Sequence, residues 1–218
     1  MLIFSTGNCW IFRYQWGIYP ILCGLLKAGF FLIMALMSFD VFTLGFSNRS
    51  WEDTLEILRT FGIERLVDIR TLPGSRHTPQ FNQENLSHAL PAAGIEYIHL
   101  KRLGGLRKPK RGDSANAGWR NESFRGYADY MQTPEFSRAL EELIRLLREK
   151  RTVYACTEAA FWRCHRSLVS DTLEVRGYRP GHIFCAAECR PHRMTRFARV
   201  DGLQITYPDP EPLLKTDG

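Results

Sequence analysis

Residues 152–184 read TVYACTEAAFWRCHRSLVSDTLEVRGYRPGHIF, and this stretch decides the fold. Thr152–Cys156 is a short continuous apolar run, the pattern of a strand buried on both faces. A polar turn follows. A helical segment then runs from about Arg166 to Arg176 and closes at Gly177, a residue suited to the left-handed turn after a helix. Tyr178–Phe184 reads as the next strand. A strand, a helix and a strand in this order predict a parallel pair joined by a crossover helix.

The same alternation extends upstream. Val41–Gly45 is an apolar strand. Ser50, with Asp53 three positions on, starts a helix carrying Trp51, Leu55 and Leu58 on one face and ending at Gly62. Arg65–Arg70 reads as a second strand, and residues 71–82 as a loop punctuated by Pro73, Gly74 and Pro79. Asn82 can cap a helix that turns Leu86, Ala89, Leu90 and Ala93 inward and stops at Gly94, with Pro91 predicting a kink or early end. Tyr97–Leu100 is the third strand. Residues 101–122 form a long Gly-rich basic loop, followed by a short helix around 127–131. Thr133 and Pro134 open an amphipathic helix with Phe136, Leu140, Leu143 and Leu147 on its apolar side. Leu203–Tyr207 can add a last strand. The fold class is therefore α/β, a single domain with a mainly parallel sheet and helices on both faces, spanning residues 38–208. A Pro-rich tail occupies 209–218.

Residues 1–37 are different text. Positions 18–37, IYPILCGLLKAGFFLIMALM, are long and apolar enough to cross a bilayer. Lys27 lies near their middle, where a charge is costly, and no clear small-residue cleavage site follows. The expectation is that translation starts at Met34 or Met37 and that residues 1–33 are a gene-model extension. The alternative is a membrane anchor at residues 18–37.

Hydrophobic residues make up 44% of the 218 and charged residues 24%, ordinary values for a globular protein. The net charge of +6 permits an anionic partner without demanding one. The six cysteines, at 9, 23, 156, 164, 185 and 189, lack the spacing of a disulfide-stapled secreted domain. They read as reduced thiols of a cytoplasmic protein.

In an open parallel sheet, ligands bind beyond the carboxyl ends of the strands. Ser47, Asn48 and Arg49 follow the first strand. Asp68 and Arg70 close the second, with Arg76 and His77 beyond. Cys156 and Glu158 end the fourth, and Arg163, Cys164, His165, Arg166 and Ser167 stand at the helix start. A thiol beside arginines and a helix N-terminus has a lowered pKa, and the same surroundings favour an anion. The expected catalytic groups are Glu158, Cys156, Asp68 and His165. The expected anion-binding groups are Ser47, Asn48, Arg49, Arg70, Arg76, Arg163, Arg166 and Ser167. Against this, Cys156 and Cys164 can be plain core residues, and Asp68 with Arg70 a plain ion pair. The Cys-Xaa5-Arg phosphate cradle is absent. Zinc has candidate ligands in Cys156, Cys164, His165, Cys185, Cys189 and His192, with the compact spacing at 185, 189 and 192, although no pair of CxxC knuckles exists. No other cofactor is expected.

Several motifs together resemble the uncharacterised family called domain of unknown function 488. They are Thr43–Arg49, Leu66–Arg70, Arg76 with Pro79–Asn82, Gly94–Leu100, Leu103-Gly-Gly105, Tyr127–Met131, Cys156–Glu158, Arg163–Leu168 and Pro191–Thr195, in family order over about residues 41–207. The resemblance implies a compact α/β fold, a bacterial-type cytosolic protein and little about activity. It carries Ser47, Asn48, Arg49, Asp68, Arg70, Arg76, Cys156, Glu158, Arg163, Cys164, His165 and Arg166 as motif residues. The apolar extension and the Cys185/Cys189 pair depart from it.

The expected function is an enzyme acting on a phosphorylated or nucleotide-like anion. One alternative is a nucleotide or nucleic-acid binding module dominated by the basic loop, with Lys108, Lys110 and Arg111 on the phosphates. Another is a zinc or thiol-redox element. The substrate and the oligomeric state stay open.

Overall fold

The computed structural model describes residues 39–109, 112 and 114–209. The expectations for residues 1–37, for Lys110 and Arg111, and for nearly all of the tail lie outside the described residues. Among the described residues no helix is long and apolar enough to cross a membrane.

Among the described residues, eight strands and five α-helices follow one another as β1 (Val41–Gly45), α1 (Trp51–Thr60), β2 (Arg65–Asp68), α2 (Gln83–Ala92), β3 (Glu96–His99), α3 (Glu122–Met131), α4 (Pro134–Glu149), β4 (Thr152–Cys156), α5 (Arg166–Val175), β5 (Pro180–Cys185), β6 (Glu188–Pro191), β7 (Arg199–Asp201) and β8 (Gln204–Thr206). Single 3₁₀ turns lie at 79–81, 101–103 and 161–163. The main sheet has the order β3-β2-β4-β1-β5-β6; its first five strands are parallel and β6 is an antiparallel edge. β7 and β8 pair separately.

Alternation along β1 splits the core. Val41 joins Val67, Ile69 and Tyr154 in a cluster with the apolar faces of α3, α4 and α5. Phe42 points to the other face and packs on Phe61 just past α1 at 5.5 Å between rings. Helices thus cover both sides, as a sheet of buried parallel strands requires.

Local signals account for most boundaries. The Ser50 hydroxyl accepts the Asp53 N–H, and that of Thr133 the Phe136 N–H. Gly62, Gly94 and Gly177 take φ of +60°, +79° and +82° after α1, α2 and α5, a conformation that penalises a Cβ.

Other boundaries moved. β2 ends at Asp68 because the Asp68 carboxylate accepts the Arg70 N–H that a longer strand would give to its neighbour. Asn82 precedes α2 without capping it by side chain; its Oδ1 accepts the Ser75 N–H instead and folds the preceding loop. Pro91 lies in the last turn of α2, which stops at Ala92. α3 begins at Glu122, well before 127, because the Asn121 carboxamide accepts from both Ser123 and Phe124 N–H. α1 buries Thr54, Ile57 and Leu58, leaving Trp51 and Leu55 half-buried.

Candidate functional site

The register brings β2, β4 and β1 to one level, with Gly45 opposite Cys156 and Asp68 opposite Ala155. Backbone pairing continues past the strands, from Phe46 N–H to the Cys156 carbonyl and from Ile69 N–H to the Ala155 carbonyl. Beyond this edge lies a cleft of about 360 Å³ lined by residues 70–72, 105–106, 123–124, 156–158 and 163–165.

The floor is two thiols and an imidazole. His165 Nε2 lies 3.1 Å from the Ile69 carbonyl oxygen. A carbonyl only accepts, so Nε2 carries the proton and Nδ1 presents its lone pair. That lone pair faces Cys164 Sγ at 3.7 Å and Cys156 Sγ at 3.9 Å. Tyr127 packs on the ring, centroids 5.0 Å apart, and gives its own hydroxyl proton to the Leu103 carbonyl. Gly105 also lies against the ring, where a Cβ would overlap Nδ1 itself. This accounts for the second glycine of Leu103-Gly-Gly105. The hydrogen bond from Cys156, together with the charge of Arg166, holds the Cys164 thiol well below the ordinary range, against the cost of burial. The same bond, then burial, pushes Cys156 well above it.

The walls carry charge. Arg70 is 6% exposed and locked by Asp68, its Nε and Nη2 meeting the carboxylate at 2.6–3.1 Å while Nη2 also reaches the Phe81 carbonyl. Asp68 is fully buried and also accepts the Tyr97 hydroxyl at 3.0 Å. It therefore orients Arg70 and does not itself line the cleft. Arg163 and Glu158 are exposed at the rim. Leu72 and Leu106, 69% and 71% exposed, form apolar lips with Phe124.

Of the other expected residues, Arg166 is 1% exposed and braces the site from behind. Nη1 donates to Thr43 Oγ1, and Nη2 to the Glu158 and Ala159 carbonyls. Arg49 likewise donates to the Gly45 and Phe184 carbonyls. The Ser47 N–H bonds to the Thr157 carbonyl, and its side chain to Asn48. Ser167 returns its hydroxyl to the Cys164 carbonyl. Arg76 is exposed and outside the cleft lining. Arg76 apart, these groups pack around the turn at Glu158, and none of the set lines the cavity.

Cys185, Cys189 and His192 do not converge. Cys185 is exposed, and both ring nitrogens of His192 are engaged, one by His182 and one by Asp171. In the basic loop, Arg102 pairs with Glu142, and Arg107 donates to the Arg102 and Gly104 carbonyls while covering the Tyr130 ring. The lining residues Thr71, Leu72, Gly105, Leu106 and Phe124 were not expected. The strand-end rule pointed at 71–72 and the Gly-Gly pair at 105, but neither names the side that faces the cavity.

A family model described as "Domain of unknown function DUF488" matches residues 50–173. That span holds every residue lining the cleft. No curated protein and no solved structure matches the chain.

Proposed function

Because the chain belongs to the DUF488 family, whose description names no reaction, its function has to be read from the cleft, and we propose that it is an enzyme acting on a phosphorylated or nucleotide-like anion bound there. The observation that carries this reading is the convergence of Arg70, Arg163, Glu158 and the Cys156–Cys164–His165 floor on one cavity. Arg70 and Arg163 hold the anion. Arg70 is pre-oriented by Asp68, so little freedom is lost on binding. Glu158 exchanges protons at the rim, and the thiol–imidazole floor supplies or activates the nucleophile. The apolar lips accept an uncharged part of the substrate, such as a base or acyl group. Pure binding would need the arginines and lips but not a free imidazole lone pair between two thiols.

The test is binding and turnover with inorganic phosphate, nucleoside monophosphates and nucleoside diphosphates. Arg163→Ala removes an exposed cation, and we expect it to weaken binding about 10- to 100-fold, the worth of one charged hydrogen bond. Glu158→Gln is expected to cut kcat by about 100-fold or more with little change in KM. Failure of every phosphate-bearing probe to bind, or unchanged kinetics in both variants, refutes the reading.

A further inference from the structure

We propose that Cys156 Sγ, Cys164 Sγ and His165 Nδ1 form a three-ligand site for a zinc-class divalent cation, with the fourth coordination position open to the cleft. The three atoms lie within 4.8 Å of one another, and among the described residues they are the one His, Cys or carboxylate group of this kind.

A hydrogen-bonded chain from Cys156 through Cys164 to His165 needs only one sulfur at the imidazole nitrogen. A neutral imidazole has one lone pair and can accept one S–H. Here two sulfurs converge on the same nitrogen, at 3.7 and 3.9 Å. In a tetrahedral zinc centre with Zn–S of about 2.3 Å and Zn–N of about 2.0–2.1 Å, ligand sulfur and nitrogen sit about 3.6 Å apart. The sulfur–nitrogen separations are close to that edge length, so one ion can meet all three groups once the sulfurs, within 4.8 Å of each other, settle at the tetrahedral spacing of about 3.8 Å.

Two further features fit. A metal-bound histidine almost always donates its second ring N–H to a carbonyl or carboxylate, which fixes the tautomer. His165 does so to Ile69, leaving Nδ1 for the ion. Gly105 lets the chain close on the ring at Nδ1, where a Cβ would push the imidazole out of place. Two thiolates and one imidazole suit zinc over magnesium or calcium, and three protein ligands with one open position mark a reactive centre more than a structural one. All three ligands line the cleft with Arg70 and Arg163, so the fourth ligand would be a water or an anionic oxygen held between those arginines. That last point rests on the substrate reading above; the ion itself does not.

The experiment uses reduced, chelator-stripped full-length protein titrated with Co(II) under anaerobic conditions. We expect one equivalent to bind, with thiolate-to-cobalt charge-transfer absorption and the intense visible bands of a tetrahedral ion, and zinc to displace it. Cys156→Ser, Cys164→Ser and His165→Ala should each weaken binding at least about 100-fold, more than loss of an outer-shell partner does. Gly105→Ala should weaken it with all ligands intact, and Cys189→Ser should change nothing; circular dichroism checks that each variant folds. Absence of a stoichiometric cobalt spectrum, or wild-type binding by the ligand variants, overturns the proposal. Phosphate added to the cobalt protein separates the two readings. Shifted visible bands support an anion at the fourth position. Unchanged bands with cobalt bound count against the anionic ligand and leave the ion standing. Phosphate binding to a protein that takes no cobalt removes the ion alone.

Discussion

A buried chain of hydrogen bonds beneath β5 sets how the protein responds to acid. Arg166 Nη1 donates to Thr43 Oγ1 at 3.3 Å, and that hydroxyl meets His182 Nδ1 at 2.8 Å. His182 Nε2 meets His192 Nδ1 at 3.0 Å, and His192 Nε2 meets Asp171 Oδ1 at 2.8 Å. An arginine only donates and a carboxylate only accepts, so the chain runs one way through two histidines that each carry their proton on Nε2. His182 is 1% exposed and stacked on Phe161 at 3.5 Å. A second proton on Nδ1 would face the Thr43 hydroxyl, which would then lose its acceptor. Burial, reinforced by His192 and Arg166, lowers the His182 pKa from 6.5 to about 2.

The sign follows from linkage. Above pH 6.5 the imidazole is neutral folded and unfolded, so it costs nothing. Between 6.5 and about 2 the unfolded chain binds a proton that the folded chain refuses, and stability falls as pH falls. The slope is about 1.4 kcal/mol per pH unit, which gives about 2.7 kcal/mol lost by pH 4.5 from this group alone. With a urea m-value of about 2 kcal/mol/M, that lowers the unfolding midpoint by about 1.3 M. Other groups titrate over the same range, so the informative comparison is with His182→Gln. This variant should be less stable at pH 7.5, because the chain is broken, yet lose about 2.7 kcal/mol less than wild type between pH 7.5 and 4.5. Urea melts of both proteins at the two pH values measure it. Parallel losses would refute the assignment of acid lability to His182.

Arg166→Met should destabilise the fold by about 1–3 kcal/mol, because Thr43 Oγ1 and the Glu158 and Ala159 carbonyls lose their common donor; Arg166→Lys should not rescue it, since an ammonium cannot span them. Urea denaturation measures both. Gly45→Ala should cost about 1–3 kcal/mol and displace the Glu158 turn, because a Cβ there would overlap the Glu158 backbone carbonyl; thermal melting and phosphate binding should fall together. Asp68→Ala should cost about 3–5 kcal/mol by stranding buried Arg70, and should also weaken phosphate binding because Arg70 loses its orientation.

The alternation of elements was legible because its signals are local. A short, mostly apolar run names β1 or β4, one hydroxyl three positions before an N–H names a cap, and one glycine ends a helix, all within a turn or two of chain. The strand-end rule pointed to Arg70, Cys156, Glu158, Arg163 and His165, and all five line the one cleft. Residue type alone could not divide the arginines, since each is equally cationic in the sequence. Arg49 and Arg166 became braces because backbone carbonyls lie within their reach, whereas Arg163 at the rim stayed exposed. Asp68 became a strut for Arg70 by burial beside it.

What the chain alone determined, then, is the order of its elements and the edge of the sheet where ionisable side chains gather. Only the tertiary structure decided that two thiols meet one imidazole lone pair, that Gly105 lets the chain close on that ring, and that His182 reaches Thr43 from 139 residues away. Periodicity and capping act over a few residues, but the partner of a buried polar group is whichever atom the packing delivers within hydrogen-bond distance.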